Sequence, residues 1–178
     1  SDLLKNVRKN TGDISNFTST KKLINIYGIA SAMRYLHSKN IIHQKLQSNT
    51  IFLDESYYPK LSNYFYKQQE SAEPFEIYIS PSNAAPEVLT RKEYSKASDV
   101  YAFAMIVYEI IANKKPFKSK NANRIMNEVV NKKNRPKTTN LIPECYRKLL
   151  KSCWSNNPSK RPTFSEIVYE LRHNSKFL

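Results

Sequence analysis

Residues 41–53 read IIHQKLQSNTIFL, a polar loop that follows two isoleucines and leads into a short apolar run. A loop between apolar flanks is where a rigid scaffold usually displays catalytic groups. The polar positions from His43 to Thr50 carry an imidazole, amides, an amine and hydroxyls, but no carboxylate. The stretch therefore indicates either an active site of unusual chemistry or a loop that has the position of a catalytic loop but no catalytic activity.

Composition indicates one globular domain. The chain has 178 residues, and 40% of them are hydrophobic, which is enough to build a core. No apolar run approaches the length that spans a bilayer, and the start of the chain lacks the apolar segment of a signal peptide. Cys145 and Cys153 are the only cysteines, and we predict reduced core thiols in an intracellular, cytoplasmic protein. Because the chain does not begin with Met, it is also compatible with a fragment.

The net charge of +14 raises the question of an anionic partner. The cations are dispersed except in residues 114–137, where Glu128 is the only acid. We favour a solvated basic face over a phosphate-binding patch. The segment also argues against a nucleic-acid partner, because Phe117 alone supplies an aromatic ring there. The basic residues of this segment are Lys114, Lys115, Lys118, Lys120, Arg124, Lys132, Lys133, Arg135 and Lys137.

Hydrophobic spacing predicts a mainly α domain. The clearest helix runs from residue 19 or 20 to about residue 38, with Ser19 or Thr20 as its cap. The almost wholly apolar run 100–112 predicts a central buried helix, which Ser98-Asp99 would cap. Shorter helices are predicted at residues 84–89, 121–131, 144–154 and 161–171, the last capped by Thr163 or Ser165.

The remaining segments predict a small sheet and a long loop. Short strands are expected on both sides of the polar loop and at residues 57–61, with a hairpin formed across the turn at residues 54–56. Residues 62–83 have no clear period and are predicted to be a long irregular loop. The expected fold has six or seven helices and one hairpin, with a polar lead-in at residues 1–18, the main lobe at 19–173 and a tail at 174–178.

Five segments, taken in order, resemble the C-terminal lobe of a eukaryotic protein kinase of the tyrosine-kinase-like branch. Each is a weak match alone, but their order and spacing together predict the fold, including an activation-segment-like loop. They are YLHSKNIIHQKL (35–46), PKLSNYF (59–65), AAPEVL (84–89), KASDVYAFAMIVYEI (96–110) and CWSNNPSKRPTFSEI (153–167).

The resemblance implies a set of structural contacts. Glu87 of the A-P-E motif would pair with Arg161, and Asp99 would accept hydrogen bonds from the loop backbone, unless Asp99 only caps its helix. Trp154 would pack against the A-P-E region. His43 and Leu46 keep family residues in the loop, and Tyr64 would pack as the family phenylalanine does.

The same alignment implies that the catalytic residues are replaced. The family loop is H-R-D-L-K-x-x-N, and phosphoryl transfer needs its acids and its metal ions. Here Lys45 replaces the base aspartate, Gln47 the lysine and Thr50 the metal-binding asparagine, and Asn63 replaces the aspartate of D-F-G. We therefore expect no working catalytic residue, no metal and no cofactor, with ATP and Mg²⁺ bound only if the family activity were retained.

The upper, nucleotide-binding lobe is also expected to be missing. Gly12 and Gly28 are the only glycines, too few for a glycine-rich phosphate loop. Phe52 matches the position beneath the adenine in the family. Without a covering lobe, the surface around Phe52 and Tyr64 would be apolar and exposed, which predicts a protein partner there.

Three functions follow from these observations. The first is a pseudokinase that acts through protein–protein interaction. The second is a fragment of an active ATP-dependent serine/threonine or tyrosine kinase. The third is a basic phosphate- or nucleic-acid-binding module that uses residues 114–137.

Overall fold

The computed structural model describes residues 18–54, 56–62, 79–118 and 120–177. Within these ranges the protein is mostly helical, with one two-stranded sheet, as predicted. Six α-helices are present, and we number them in chain order. They are α1 (Ser19–Ser38), α2 (Pro86–Arg91), α3 (Lys96–Ala112), α4 (Ala122–Met126), α5 (Glu144–Cys153) and α6 (Phe164–His173).

Helix α1 confirms the amphipathic pattern, but its predicted cap is wrong. Thr18 is the N-cap, and its hydroxyl accepts a hydrogen bond from the Lys21 amide at 3.3 Å. Ser19 and Thr20 instead lie in the first turn. The face turned inward buries Asn25, Ile26, Ile29, Ala30, Met33 and Leu36.

Helix α3 is the centre of the core, and its residues from Ser98 to Ile110 are all buried. It begins earlier than predicted, because Ser95 is the N-cap and exchanges hydrogen bonds with Ser98. The prediction that Ser98-Asp99 caps the helix is therefore wrong. Since Ser95 performs the capping, the carboxylate of Asp99 is available to another part of the chain.

The hairpin consists of β1 (Ile51–Leu53) and β2 (Pro59–Leu61), paired antiparallel with Phe52 opposite Lys60. Strand β2 is shorter than predicted because Tyr57 has a positive φ of 65°. The prediction of a strand before the polar loop is wrong. There the Ile41 amide donates to the Leu36 carbonyl at 2.9 Å, so the backbone closes α1 instead of joining the sheet.

The C-terminal half supplies the remaining helices. Helix α2 begins at Pro86, two residues later than predicted, because proline is favoured at the first helical position. Helix α4 continues as a π-helical turn, Asn127–Asn131. Helix α6 is capped by Thr163, one of the two predicted caps, through reciprocal bonds with Glu166.

Packing places α1 and α5 against the central helix α3, and α6 against α1. Cys145 and Cys153 are free and buried, as predicted. Among the described residues, no helix combines the length and the apolar character needed to cross a membrane.

Candidate functional site

The polar loop is anchored by a carboxylate from the central helix. Asp99 Oδ2 accepts the amide of His43 at 2.8 Å, and Oδ1 accepts the amide of Gln44 at 3.0 Å. His37 Nε2 lies 2.9 Å from the same Oδ2. Asp99 is only 2% exposed, and hydrogen bonds to a buried charged group are stronger than neutral ones. Asp99 therefore makes the contacts with the loop backbone that the family resemblance implies.

Gln44 has a φ of 63°, in the left-handed region that residues with a Cβ rarely occupy. Such a conformation costs about 1–3 kcal/mol and persists only where the surroundings enforce it. The bond from its amide to Asp99 supplies that constraint. Sequence reasoning missed this strain because glutamine, unlike glycine or asparagine, does not indicate a left-handed backbone.

His37 was also missed as a member of this cluster. It lies in the last turn of α1, with its ring edge-on to Phe164 at a centroid distance of 5.0 Å. Its contact with Asp99 joins the end of α1 to the start of α3. The sequence could have indicated this role, because His37 lies on the apolar side of a predicted helix.

His43 is completely buried, and burial lowers its pKa below the usual 6.5, although the charge of Asp99 opposes this shift. Its Nδ1 accepts the Lys45 amide at 3.3 Å. The neutral ring therefore acts as a packed support for the loop. Leu46, the other retained family residue, is also fully buried.

Lys45, which is predicted to stand at the position of the family base, is partly exposed. Its amide also contacts the His43 carbonyl at 2.8 Å, so its backbone is held in the loop. A protonated amine has three donors and no acceptor. A lysine here cannot take a proton from an attacking hydroxyl while it carries its charge.

Thr50 and Gln47 use their polar groups inside the loop. The Thr50 hydroxyl donates to the Gln47 carbonyl at 2.8 Å and accepts the Gln47 amide at 3.2 Å. The Gln47 side chain accepts the Ser80 amide at 3.2 Å, which ties the loop to the segment before α2. Both residues are buried, so these side chains serve architecture.

The loop does not fit a Mg²⁺ ion. Magnesium prefers charged oxygen ligands, usually one or two carboxylates. Thr50, which is predicted to stand at the family's metal position, offers a neutral hydroxyl that is already bonded within the loop. Among the described residues, no group of three or more potential metal ligands occurs. Asn63 and Tyr64, the other positions predicted from D-F-G, lie outside the described residues.

Glu109 was a further omission from the predicted site. It lies on α3 and is 2% exposed. Its Oε2 accepts the Ser48 hydroxyl at 2.9 Å. The end of the loop is thus held by a second acid of α3, just as Asp99 holds its beginning.

Glu87 and Arg161 form the buried ion pair implied by the family. Two parallel bonds join them, Nη1 to Oε1 at 2.6 Å and Nη2 to Oε2 at 3.0 Å. The guanidinium also donates to the carbonyls of Ala97 and Ser155. The pair therefore connects α2, the start of α3 and the segment before α6.

Trp154 is 8% exposed, as expected for a core residue. Its ring lies 6.4 Å from that of Tyr108, and its carbonyl accepts Arg135 Nε at 2.9 Å. The contact with the A-P-E region stays a prediction. Phe52, by contrast, is 51% exposed on the outer face of the hairpin.

Comparison with known proteins identifies the class. Residues 1–171 match the family described as protein tyrosine and serine/threonine kinase. The chain therefore belongs to the protein kinase family, in agreement with the lobe-like helical fold and the anchored loop.

Several relatives show the same relationship. A probable LIM domain-containing serine/threonine-protein kinase of Dictyostelium discoideum is 34% identical over 152 residues, which cover 84% of this chain and 23% of that protein. A putative serine/threonine-protein kinase/receptor of Acanthamoeba polyphaga mimivirus is 32% identical over 171 residues, covering 94% of this chain and 10% of that protein. The chain thus spans less than a quarter of these relatives' length.

Proposed function

We propose that this chain is a pseudokinase domain of the tyrosine-kinase-like branch, which transfers no phosphate and acts by binding other proteins. The observation that carries the proposal is the state of the loop. Lys45 places an amine at the base position, and the Thr50 hydroxyl bonds to the loop's own backbone.

The chemistry of phosphoryl transfer explains why these replacements matter. The reaction depends on metal ions that neutralise the phosphates and on a carboxylate that orients the attacking hydroxyl. The acids that contact this loop lie on α3. Asp99 accepts the amides of His43 and Gln44, and Glu109 accepts the Ser48 hydroxyl. Their oxygens bond to the loop from α3, and in the described part of the chain the proposed base and metal positions, Lys45 and Thr50, carry no carboxylate.

An exposed apolar surface supports protein binding. Phe52 is 51% exposed and Tyr58 is 56% exposed, and both belong to the hairpin region. Exposed aromatic residues are enriched where proteins bind one another. We propose that the hairpin face contributes to the partner surface, either with an upper lobe of the same protein or with another protein.

The test combines nucleotide binding with phosphotransfer, on the longest natural chain that contains these residues. We expect no thermal shift with ATP and Mg²⁺ or Mn²⁺ and no transfer of labelled phosphate to the protein or to a generic substrate. Lys45→Asp should remain inactive, because the metal position is also replaced. A Mg²⁺-dependent shift, with phosphotransfer that Lys45→Ala or Asn63→Ala abolishes, would overturn the proposal.

The alternative is an active ATP-dependent protein kinase of which these residues form part. The names of the relatives favour it, since both are described as serine/threonine kinases. The same phosphotransfer measurement separates the two functions, because an active kinase requires a detectable, metal-dependent rate.

A further inference from the structure

A groove beside the C-terminal end of α3 is lined by most of the basic residues of the segment 114–137. It has a volume of 500 Å³ and lies between the end of α3, the segment that follows it and residues 134–137. We call it the basic groove. Its lining residues are Tyr108, Lys114, Lys115, Phe117, Lys118, Lys120, Glu128, Asn134, Arg135, Pro136 and Lys137.

The charge of the basic groove is far from balanced. Six cationic side chains line it, against the single carboxylate of Glu128. Lys120, Lys132 and Asn134 all bond to that carboxylate and hold its pKa at about 2. In the described part of the chain, no carboxylate lies within 4.0 Å of the amines of Lys114, Lys115, Lys118 and Lys137.

Arg135 adds a fixed charge behind these lysines. Its guanidinium donates to three carbonyls, those of Trp154, Val129 and Asn134, and to the side chain of Asn156. It also lies over the Tyr101 ring, 5.1 Å from the centroid. These acceptors are neutral, so they position the cation without cancelling its charge.

The floor of the groove is apolar and held by the backbone. Pro136 is buried and Phe117 is half-buried. Phe117 has a φ of 52°, an unusual conformation for a large side chain. Tyr108 is 3% exposed, and its hydroxyl reaches the Lys137 carbonyl at 3.4 Å. The groove therefore combines a preformed apolar floor with a flexible cationic rim.

From this combination we propose that the basic groove binds an acidic peptide segment of a partner protein, with aspartates or glutamates on both sides of an apolar side chain. The carboxylates meet the lysine rim, and the apolar side chain enters between Phe117 and Pro136. Complementary charge speeds association and selects the partner. This inference goes beyond the proposed function and holds whether or not the loop is catalytic.

A peptide fits this surface better than a nucleic acid does. Single-stranded nucleic acids are bound by aromatic side chains on which the bases stack. Here Tyr108 is 3% exposed and Phe117 is the other aromatic residue in the lining, so the groove offers no series of rings on which successive bases could stack. The concave shape also suits insertion of one side chain more than contact with a row of phosphates.

The test measures binding of fluorescent twelve-residue peptides by polarisation at about 0.15 M salt, where charges separated by more than about 8 Å are screened. One peptide carries Asp and Glu around a central Leu, and the other carries Asn and Gln at the same positions. We expect the acidic peptide to bind at least tenfold more tightly. The Lys115→Glu/Lys118→Glu variant should lose at least tenfold in affinity for it.

A matched variant controls for net charge. Lys39→Glu/Lys96→Glu makes the same change in charge on exposed residues, but Lys96 begins α3, whereas the groove lies at its other end. We expect less than a threefold loss for this variant. Equal losses in both variants, equal binding of the neutral peptide, or tighter binding of a single-stranded RNA than of the acidic peptide would overturn the proposal.

Discussion

Asp99 shows how one side chain holds a loop whose catalytic residues are predicted to be replaced. Its carboxylate accepts the amides of His43 and Gln44 and contacts His37. These bonds need only a buried acid on α3 and backbone donors in the loop, so they do not depend on which side chains the loop carries. A lysine at position 45, where the family resemblance predicts an aspartate, is therefore compatible with the observed backbone.

The Glu87–Arg161 pair gives a prediction for stability. We expect Glu87→Ala to lower the free energy of unfolding by about 3–5 kcal/mol, because it leaves a buried guanidinium without its counter-charge. Arg161→Lys should also destabilise, since an ammonium cannot form the two parallel bonds. Chemical denaturation of the variants measures both losses.

The chain supplies its own control for this pair. Arg91 and Glu93 form an exposed ion pair with the same shortest distance, 2.6 Å, but with side chains 61% and 56% exposed. Exposed pairs contribute little because water and salt screen them. A loss for Glu93→Ala as large as that for Glu87→Ala would contradict the role of burial.

His43 gives a prediction for pH dependence. Burial lowers its pKa below 6.5, so the unfolded chain binds a proton more readily than the folded one. Its contribution to stability is present above about pH 6.5 and is lost as the pH falls from there toward the lowered pKa. The depressed pKa of Glu128 acts in a separate window, below its usual 4.5.

The measurement is the melting temperature between pH 7.5 and pH 5. We expect His43→Gln to show a shallower fall with acidification than the unaltered chain. His173→Gln is the matched control, because it removes an exposed imidazole at the end of α6, and the role of burial requires a larger change of slope for His43→Gln than for His173→Gln. Identical slopes for His43→Gln and the unaltered chain would rule out this contribution.

At the scale of elements, α1 packs against the hairpin through a position without a side chain. A Cβ added at Gly28 would lie 2.6 Å from Cγ and 2.8 Å from Cδ of Pro59. Contacts this short force the helix and β2 apart. The glycine therefore permits the close approach that places the hairpin beside the loop.

Gly28→Ala should consequently destabilise the fold. On an exposed helix surface the change from glycine to alanine would stabilise the fold by up to about 1 kcal/mol. Overpacking at this position should instead destabilise it by about 1–3 kcal/mol. Denaturation measures the difference, and Gly28→Ala/Pro59→Ala should recover part of the loss because the two positions are coupled. A higher melting temperature for Gly28→Ala alone would contradict the packing argument.

Helix α3 organises the elements around it, because it contacts both ends of the loop and two other helices. Asp99 and Glu109 hold the two ends of the loop, and ten residues of helix place them about 15 Å apart. The same helix packs against α1 and α5. A domain organised in this way can keep its architecture while individual loop side chains change.

At the scale of the whole molecule, two surfaces with different chemistry are available to partners. The hairpin face presents exposed Phe52 and Tyr58, and the basic groove presents lysines around an apolar floor. The net charge of +14 reinforces attraction of acidic partners to the groove but does not choose between the two surfaces.

Much of this architecture could be predicted from the sequence because it depends on short-range pattern. The apolar steps of α1, the apolar run of α3 and the five ordered motifs indicate the lobe and the register of the loop. That register identifies Lys45 and Thr50 as replacements by residue type alone. The family match over residues 1–171 shows the kinase family, while the register of the loop stays a prediction.

Only the tertiary structure decided how the polar groups are used. Whether Asp99 caps its helix or holds the loop depended on Ser95, which takes the cap and leaves the carboxylate to His43 and Gln44. The inward turn of the Thr50 hydroxyl and the charge imbalance of the basic groove likewise arise from long-range contacts. A sequence states which donors and acceptors exist, but each buried group bonds to the partner that folding brings within about 3 Å.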